Sequence, residues 1–221
     1  MKKRFDWAEA ACWALGALPL AAALAAKPFL PERIPIHWGM DGQIDGWGGF
    51  GQVLLVAALG LGVTALLKFL PRIDPKRKNY DKFAGGYRAL RLTFGVFYCF
   101  TTGTMLAAGL WPDSFAKLDI GTLTTMSVGI LFCVMGNFMP QFKHNYFCGI
   151  KTPWALADEE NWRRTHRFAG PMWFWGGLAV ALCGILLRGR MLAGAMAALL
   201  TACVAVPYVY SYLIFKKSPK T

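Results

Sequence analysis

Six long apolar stretches, separated by short polar segments, dominate the pattern along the chain. They lie at residues 7–26, 50–70, 89–111, 119–139, 170–188 and 191–214. A helix needs about 20 predominantly apolar residues to cross the hydrocarbon core of a bilayer. The pattern therefore predicts an all-α integral membrane protein with six transmembrane helices.

Composition supports this interpretation and excludes several other classes of protein. Of the 221 residues, 56% are hydrophobic and only 16% are charged, which is too few charges for an ordinary soluble domain. Cys148 lies in a polar segment, and the other five cysteines lie inside apolar stretches, namely Cys12, Cys99, Cys133, Cys183 and Cys203. No Cys-x-x-Cys pair occurs. We therefore expect no disulfide framework and no cysteine-based zinc or redox motif, and we assign no cofactor.

The net charge of +12 is best explained by membrane topology. Lysine and arginine concentrate at the N-terminus, in the second and fourth connections, and in the C-terminal tail. Because cytoplasmic loops carry the excess of basic residues, both termini are expected in the cytoplasm. The connection between the first two helices then faces outside, and no direct nucleic-acid partner is expected. The basic connection 71–88 divides a two-helix unit, residues 1–70, from a four-helix unit, residues 89–221.

The outer connection combines strand and turn signals between two apolar stretches. "IPIHW" has strand character, and "MDGQ" and "IDGW" each contain an Asp-Gly pair, a strong turn signal. We predict a small hairpin or a double-turn loop. Its carboxylates and histidine serve either to bind a cation or sense pH, or simply to cap turns. The candidate binding residues of this outer loop are His37, Trp38, Asp41, Asp45 and Trp47.

The inner segment, residues 137–169, is the other polar region with unusual content. "DEENWRRTHRF" predicts a short helix in which Trp162, Thr165 and His166 share one face. Three arginines lie mostly on another face. Four placements remain open for this segment: in the headgroup layer, folded under the bundle, as simple interfacial packing, or around a pocket. The residues that would converge on such a pocket are Asn137, Asn145, Lys151 and His166.

Two polar features lie within the apolar stretches themselves. Glu9 is either an interfacial carboxylate paired with Arg4 or a loop base, or a buried acid that relays protons. Hydroxyl groups in "TTGT" at 101–104 and "TLTTMS" at 122–127 are more typical of helix–helix contacts than of a conduit.

The inner segment resembles the signature of the SdpI family of bacterial membrane proteins. The stretch is "NFMPQFKHNYFCGIKTPWALADEENWRRTHRFAG". The matching positions are Asn137, Pro140, Asn145, Gly149, Ile150, Lys151, Thr152, Pro153, Trp154, Leu156, Trp162, Thr165, His166 and Arg167. The outer "IPIHWGMDGQIDGWG" is similar to an uncharacterised two-span domain that commonly precedes this signature. Lys151 and Ala155 depart from the pattern, which usually has arginine and often a hydroxyl residue there.

The resemblance implies a multi-pass protein of the bacterial cytoplasmic membrane that acts in immunity and signal transduction. The family's naming member confers immunity to a secreted killing peptide and takes part in signalling. The implied partners are membrane lipids, a secreted toxin peptide outside, and a repressor or other protein inside. The alternative is a small transporter or lipid-handling protein with polar gates at both ends. An enzyme is not expected, because no nucleophile–base pair, zinc-ligand set or phosphate loop occurs, and we assign no catalytic residue.

The predicted topology has a direct test. A reporter enzyme that is active only in the cytoplasm, fused after Lys220, is expected to be active. A reporter that requires export is expected to be inactive at the same position. Activity of the exported reporter alone would contradict the predicted orientation.

Overall fold

The computed structural model describes residues 5–39 and 42–217, and its long helices confirm the six predicted spans. Six helices in this part of the chain are long and apolar enough to cross a membrane. In chain order the helices are α1 (Trp7–Ala26), α2 (Phe50–Ile73), α3 (Ala84–Leu110), α4 (Pro112–Phe115), α5 (Ile120–Phe138), α6 (Pro153–Ala157), α7 (Glu159–Leu186) and α8 (Gly189–Lys217). The short α4 and α6 lie between spans.

The main difference from the prediction is at the fifth span, which begins at Glu159 and not at residue 170. The predicted short helix forms the first three turns of α7, and Pro171 lies inside this helix. Burial of one face of those turns against the rest of the protein favours the continuous helix. The connection 71–88 is also largely helical, because α2 runs to Ile73 and a 3-10 helix covers Arg77–Phe83. The division of the chain at this connection remains a prediction.

The loop between α1 and α2 is a β-hairpin, as predicted. Strands β1 (Ile34–Trp38) and β2 (Ile44–Gly48) pair antiparallel, with two register irregularities. Ile34 is fully buried among α1, α2 and α3, and it anchors the hairpin to the bundle. His37 lies opposite Gly46, where an added Cβ would come within 2.7 Å of the His37 Cβ.

The helices pack in two groups of three that meet along α3 and α5. Helices α1, α2 and α3 form one group, and α5, α7 and α8 form the other. Glycines bring α5 and α7 into backbone contact: a Cβ on Gly129 would lie 2.6 Å from the carbonyl oxygen of Gly177. A Cβ on Gly170 would lie 2.9 Å from the carbonyl oxygen of Gly136. Such small residues allow the close helix contacts that are typical of membrane proteins.

Glu9 joins the first three helices through ion pairs. Its carboxylate accepts two hydrogen bonds from Arg91, at 2.7 and 3.0 Å, and lies 2.9 Å from the Lys68 ammonium. Arg91 is buried on α3, so this pairing compensates a guanidinium that has left water. Glu9 therefore has basic partners on α2 and α3, which favours the paired carboxylate over the proton relay.

Four spans contain an internal proline, and in three of them a neighbouring helix donates to the backbone carbonyl that the proline frees. Proline has no N–H, so the carbonyl four residues earlier loses its helical donor. In α1, Pro19 leaves the Leu15 carbonyl without its helical donor. The Cys99 thiol of α3 donates to this oxygen at 3.3 Å. Inside a bilayer no water replaces the missing donor, so this contact fixes α3 against α1.

The same arrangement recurs in α2. Pro71 leaves the carbonyl of Leu67 without its helical donor, and the buried Tyr87 hydroxyl of α3 donates to that oxygen. The bond links the end of α2 to the beginning of α3.

In α8, Pro207 frees the carbonyl of Cys203. The indole Nε1–H of Trp173, on α7, donates to this oxygen at 2.6 Å. All three donors come from the helix packed beside the proline, so each freed carbonyl is bonded to one neighbouring helix.

The α2–α3 bond generates a testable coupling. Tyr87→Phe is expected to lower the free energy of unfolding in detergent micelles by about 0.5–1.5 kcal/mol. In a Pro71→Ala background the restored N–H satisfies the Leu67 oxygen, so the same change should cost less. Tyr208→Phe, on the exposed side of α8, is the matched control. Equal costs of Tyr87→Phe in both backgrounds would contradict this account.

Candidate functional site

The polar residues singled out in the sequence lie at the two ends of the bundle. The hairpin end comprises β1, β2, α4 and the adjoining helix termini, and the signature end comprises residues 74–83 and 139–167 with the helices packed on them. The six-span topology puts these regions at opposite ends. Which end faces the cytoplasm follows from the basic residues alone and remains a prediction.

At the hairpin end, His37 and Asp45 form an exposed pair. His37 Nδ1 lies 2.5 Å from Asp45 Oδ1, and the two side chains are 71% and 53% exposed. Two metal-ligating side chains are fewer than the three or four protein ligands that hold zinc. No group of three or more metal-ligating side chains occurs in residues 5–39 and 42–217. The predicted residue Asp41 lies outside the described residues.

Beneath the hairpin lies an apolar groove with a volume of about 540 Å³. His37, Trp38 and Gly39 form its roof, and its walls come from α2, α3, α5 and α8. The α3 wall runs from Phe97 to Met105, which corresponds to a depth of about 12 Å. The groove thus lies between the two groups of helices. Four of the hydroxyls noted in the sequence line it: Thr101, Thr104, Thr124 and Thr125.

A second cavity, of about 400 Å³, lies on the other side of Trp38. Arg33 and Trp47 line it, with the guanidinium 5.8 Å from the Trp47 ring centroid. The Trp38 ring packs against Phe115 of α4 at 5.8 Å. Trp38 and Ile120 line both cavities, so they form the partition between them.

At the signature end, a buried carboxylate joins the two connections. Asp74 is 2% exposed and accepts hydrogen bonds from the backbone N–H of Lys76 at 2.7 Å and of Tyr146 at 2.9 Å. It also accepts from the Tyr80 hydroxyl at 2.9 Å. Such donors offset the cost of removing the charge from water. Sequence reasoning missed Asp74, although an acidic residue at the end of a span, amid a basic segment, was a usable signal.

Asn145 folds the signature loop around its own side chain. Its amide nitrogen donates to the carbonyls of Lys143 and Cys148, and its oxygen accepts from the N–H of Phe147 and Cys148. The side chain therefore replaces regular secondary structure as the partner of this backbone. Burial raises the pKa of the Cys148 thiol to about 11, so this cysteine is held as a neutral thiol.

His166 explains why a glycine stands in the signature. Its Nδ1–H donates to the Trp162 carbonyl at 2.8 Å, and its Nε2 accepts from the Ile150 N–H at 2.9 Å. The ring is therefore neutral and fully paired. Gly149 has φ +113°, and a Cβ there would collide with His166 Nε2. Only glycine fits both the backbone conformation and this space.

His144, which sequence reasoning did not select, connects the signature loop to residues 74–83. Its Nε2–H donates to the Leu156 carbonyl at 3.0 Å, and its Nδ1 accepts from the Lys76 ammonium at 2.9 Å. The imidazole packs on Trp162, with ring centroids 5.2 Å apart. Burial, together with the charge of Lys76, lowers the pKa of His144.

A chain of hydroxyl and amide groups ties the signature to α8. The Ser211 hydroxyl donates to Asn161 Oδ1 at 2.8 Å, and the Thr165 hydroxyl donates to the same oxygen at 3.1 Å. Thr152 lies 2.6 Å from Ser211 Oγ and caps α6 by accepting from the Ala155 N–H. Each buried group in this chain has a partner, so it holds α6, α7 and α8 in one arrangement.

The predicted convergence on a pocket is only partly correct. Asn145 and His166 are buried in the same polar core, but Asn137 and Lys151 are exposed and take no part in it. Both exposed residues lie where α5 ends or α6 begins, on the side turned away from the core. The predicted shared face of Trp162, Thr165 and His166 is confirmed, since all three are buried.

The remaining signature residues lie outside the buried polar core formed by Asn145 and His166. Pro153 begins α6, and Trp154 packs among aromatic rings of α8, 5.0 Å from Tyr212. Pro140 is exposed at the end of α5 and contacts Gly170, and Arg167 is exposed on α7. The arrangement at this end holds one conformation, because its buried donors and acceptors are paired with one another.

Fold and site together define a multi-pass helical membrane protein with polar elements concentrated at its two ends. Residues 141–211 match the SdpI/YfhL protein family, and residues 14–67 match a domain of unknown function, DUF1648. The chain is 28% identical over 200 residues to the immunity protein SdpI of Bacillus subtilis (strain 168), covering 90% of this chain and 92% of that protein. The chain is thus similar to the SdpI/YfhL family over its signature end and to the SdpI immunity protein over most of its length. No solved structure matches it.

The position of His144 predicts a pH-dependent stability. The folded protein holds the imidazole neutral, with a pKa below the ordinary 6.5. The neutral ring therefore contributes fully to the free energy of unfolding above about pH 6.5, and this contribution is lost progressively as the pH falls below that value. Between pH 8 and pH 5 the melting temperature of the wild type should fall by about 2–4 °C more than that of His144→Gln. An unchanged profile in His144→Gln would contradict the assignment.

Proposed function

We propose that this protein is an SdpI-type immunity and signalling protein that captures a membrane-active peptide at its hairpin end. The similarity to the immunity protein SdpI supports the class, and the apolar groove beneath His37 and Trp38 supports the place of capture. In this proposal the hairpin lies outside the cell and the signature end lies in the cytoplasm, in accord with the distribution of lysine and arginine.

The groove carries this proposal because it matches the chemistry of a membrane-active peptide. Such a peptide presents an apolar face to the acyl chains and a polar face to the headgroups. The groove walls would contact the apolar face, and the His37–Asp45 pair at the rim would contact the polar face. The second cavity places Arg33 and Trp47 on the water side of the same partition.

Helix α3 provides the route from capture to signalling. Its hairpin half lines the groove between Phe97 and Met105, and its other half carries Tyr87, which bonds to α2. Just before α3, Phe83 packs against Phe142 of the signature loop at 5.4 Å. A peptide that displaces α3 from α5 would therefore alter the contact between residues 74–83 and the signature loop. A repressor or another cytoplasmic protein would detect this change.

A second candidate function is that of a small transporter or lipid-handling protein with polar gates at both ends. One observation favours it: the groove is apolar and has hydroxyl groups on its walls, a lining that also suits a lipid. Movement of a fluorescent phospholipid between leaflets of vesicles that contain the purified protein would support this function over peptide capture.

Filling the groove tests peptide capture. Cells that carry the gene are expected to survive challenge with the cognate toxin peptide, and cells without it are not. Ala193→Phe places a ring inside the groove and should reduce protection at least about tenfold, the effect of roughly 1.4 kcal/mol of binding energy. Ala198→Phe lies on the same helix at an exposed position and serves as the control.

The signature end has its own arm of this experiment. Trp162→Ala and His166→Ala remove buried contacts there, and both are expected to abolish the transcriptional response to the toxin. Membrane abundance of every variant is measured in parallel. Full protection and a full response in Ala193→Phe, at normal abundance, would refute capture in the groove.

A further inference from the structure

The first turns of α7 carry two exposed arginines, Arg164 and Arg167, that form no salt bridge among the described residues. Arg163 is paired with Glu160 through two hydrogen bonds, at 2.6 and 2.8 Å. Arg164 and Arg167 form no such pair among the described residues, although the Glu160 carboxylate also interacts with Arg164 at longer range. They lie three positions apart on an exposed helix face, where like charges repel each other. An anion from outside the chain would relieve this repulsion.

The two arginines border a shallow cavity between α7 and α8. Its volume is about 340 Å³. Besides the arginines it is lined by Phe168, Tyr210 and Glu160, whose carboxylate is already paired with Arg163. The rings of Phe168 and Tyr210 are stacked at 4.2 Å, with 21° between their planes. Charged groups thus lie on one side of the cavity, and a flat apolar surface lies on the other.

The depth of this cavity matches the boundary of a bilayer. The charge-free part of α7, residues 168–186, spans about 28 Å, close to the thickness of the hydrocarbon core. Arg167 therefore lies at the edge of the core, and Arg164 lies about 5 Å farther out, at the level of the headgroups. Stacked aromatic rings at this depth are typical of the membrane interface.

We propose that Arg164 and Arg167 bind the phosphate group of an anionic phospholipid, whose first acyl carbons rest on Phe168 and Tyr210. A guanidinium group presents paired N–H donors that match two phosphate oxygens. The apolar rings and the depth favour a lipid over a free phosphate ion. This site is on the outer surface of α7 and does not depend on peptide capture in the groove.

The test uses the full chain, purified in a mild detergent, with phosphatidylglycerol as the probe. Lipid retained on the protein is counted by native mass spectrometry, and the melting temperature is measured over a lipid titration. Each arginine is expected to contribute about fivefold to the affinity, so Arg164→Gln with Arg167→Gln should weaken binding about 25-fold. Lys82→Gln with Lys143→Gln removes equal charge from exposed positions elsewhere at the signature end and should have little effect.

Two further ligands distinguish the sources of the phosphate. Phosphatidylcholine should be retained much less than phosphatidylglycerol, and glycerol phosphate, which has no acyl chains, should not raise the melting temperature. The proposal is wrong if the arginine double variant retains phosphatidylglycerol as the wild type does. It is also wrong if glycerol phosphate stabilises the protein as much as the lipid does.

Discussion

A polar group that leaves water in this protein is costly unless the protein supplies a partner, and among the described side chains only Arg91 Nε and Thr102 Oγ1 are buried without one. In a bilayer an unpaired carbonyl has no water to bond. The prolines at positions 19, 71 and 207 would each expose one, and a side chain of the neighbouring helix donates to it in every case. The same constraint pairs Glu9 with Arg91 at the ends of α1 and α3. The helices are thus held together by specific bonds as well as by apolar contact.

The two ends of the bundle meet this constraint differently. At the signature end, Asp74, Asn145 and His166 are surrounded by donors and acceptors, and side chains fill the space. At the hairpin end, Trp38 separates two cavities whose walls are largely apolar. A tightly paired end resists rearrangement, whereas an apolar groove admits a ligand without breaking a hydrogen bond. Helix α3 extends from one end to the other and is the structural link between them.

Local patterns made the fold and part of the site predictable. The 3.6-residue period put Trp162, Thr165 and His166 on one helix face, and this face is buried. Strand character in "IPIHW" and two Asp-Gly turn signals predicted a hairpin or a double-turn loop. The structure has a hairpin, and the second pair, Asp45–Gly46, lies inside β2 and not in a turn. The same reasoning missed Asp74 and His144, because their importance comes from partners far along the chain: Asp74 accepts from Tyr146, and His144 accepts from Lys76. It also grouped Asn137 with the buried residues, since spacing cannot show on which side of a helix end a side chain falls.

The sequence by itself determined the medium, the six spans, the hairpin and the exposed or buried face of the signature helix. These properties depend on hydropathy, period and turn chemistry, which act over a few neighbouring residues. Only the tertiary structure decided that α7 is continuous through Pro171, which donors satisfy the proline-freed carbonyls, and where the groove lies. Those features depend on how segments up to about 80 positions apart meet in space, as Glu9 meets Arg91, and a local pattern does not encode that geometry.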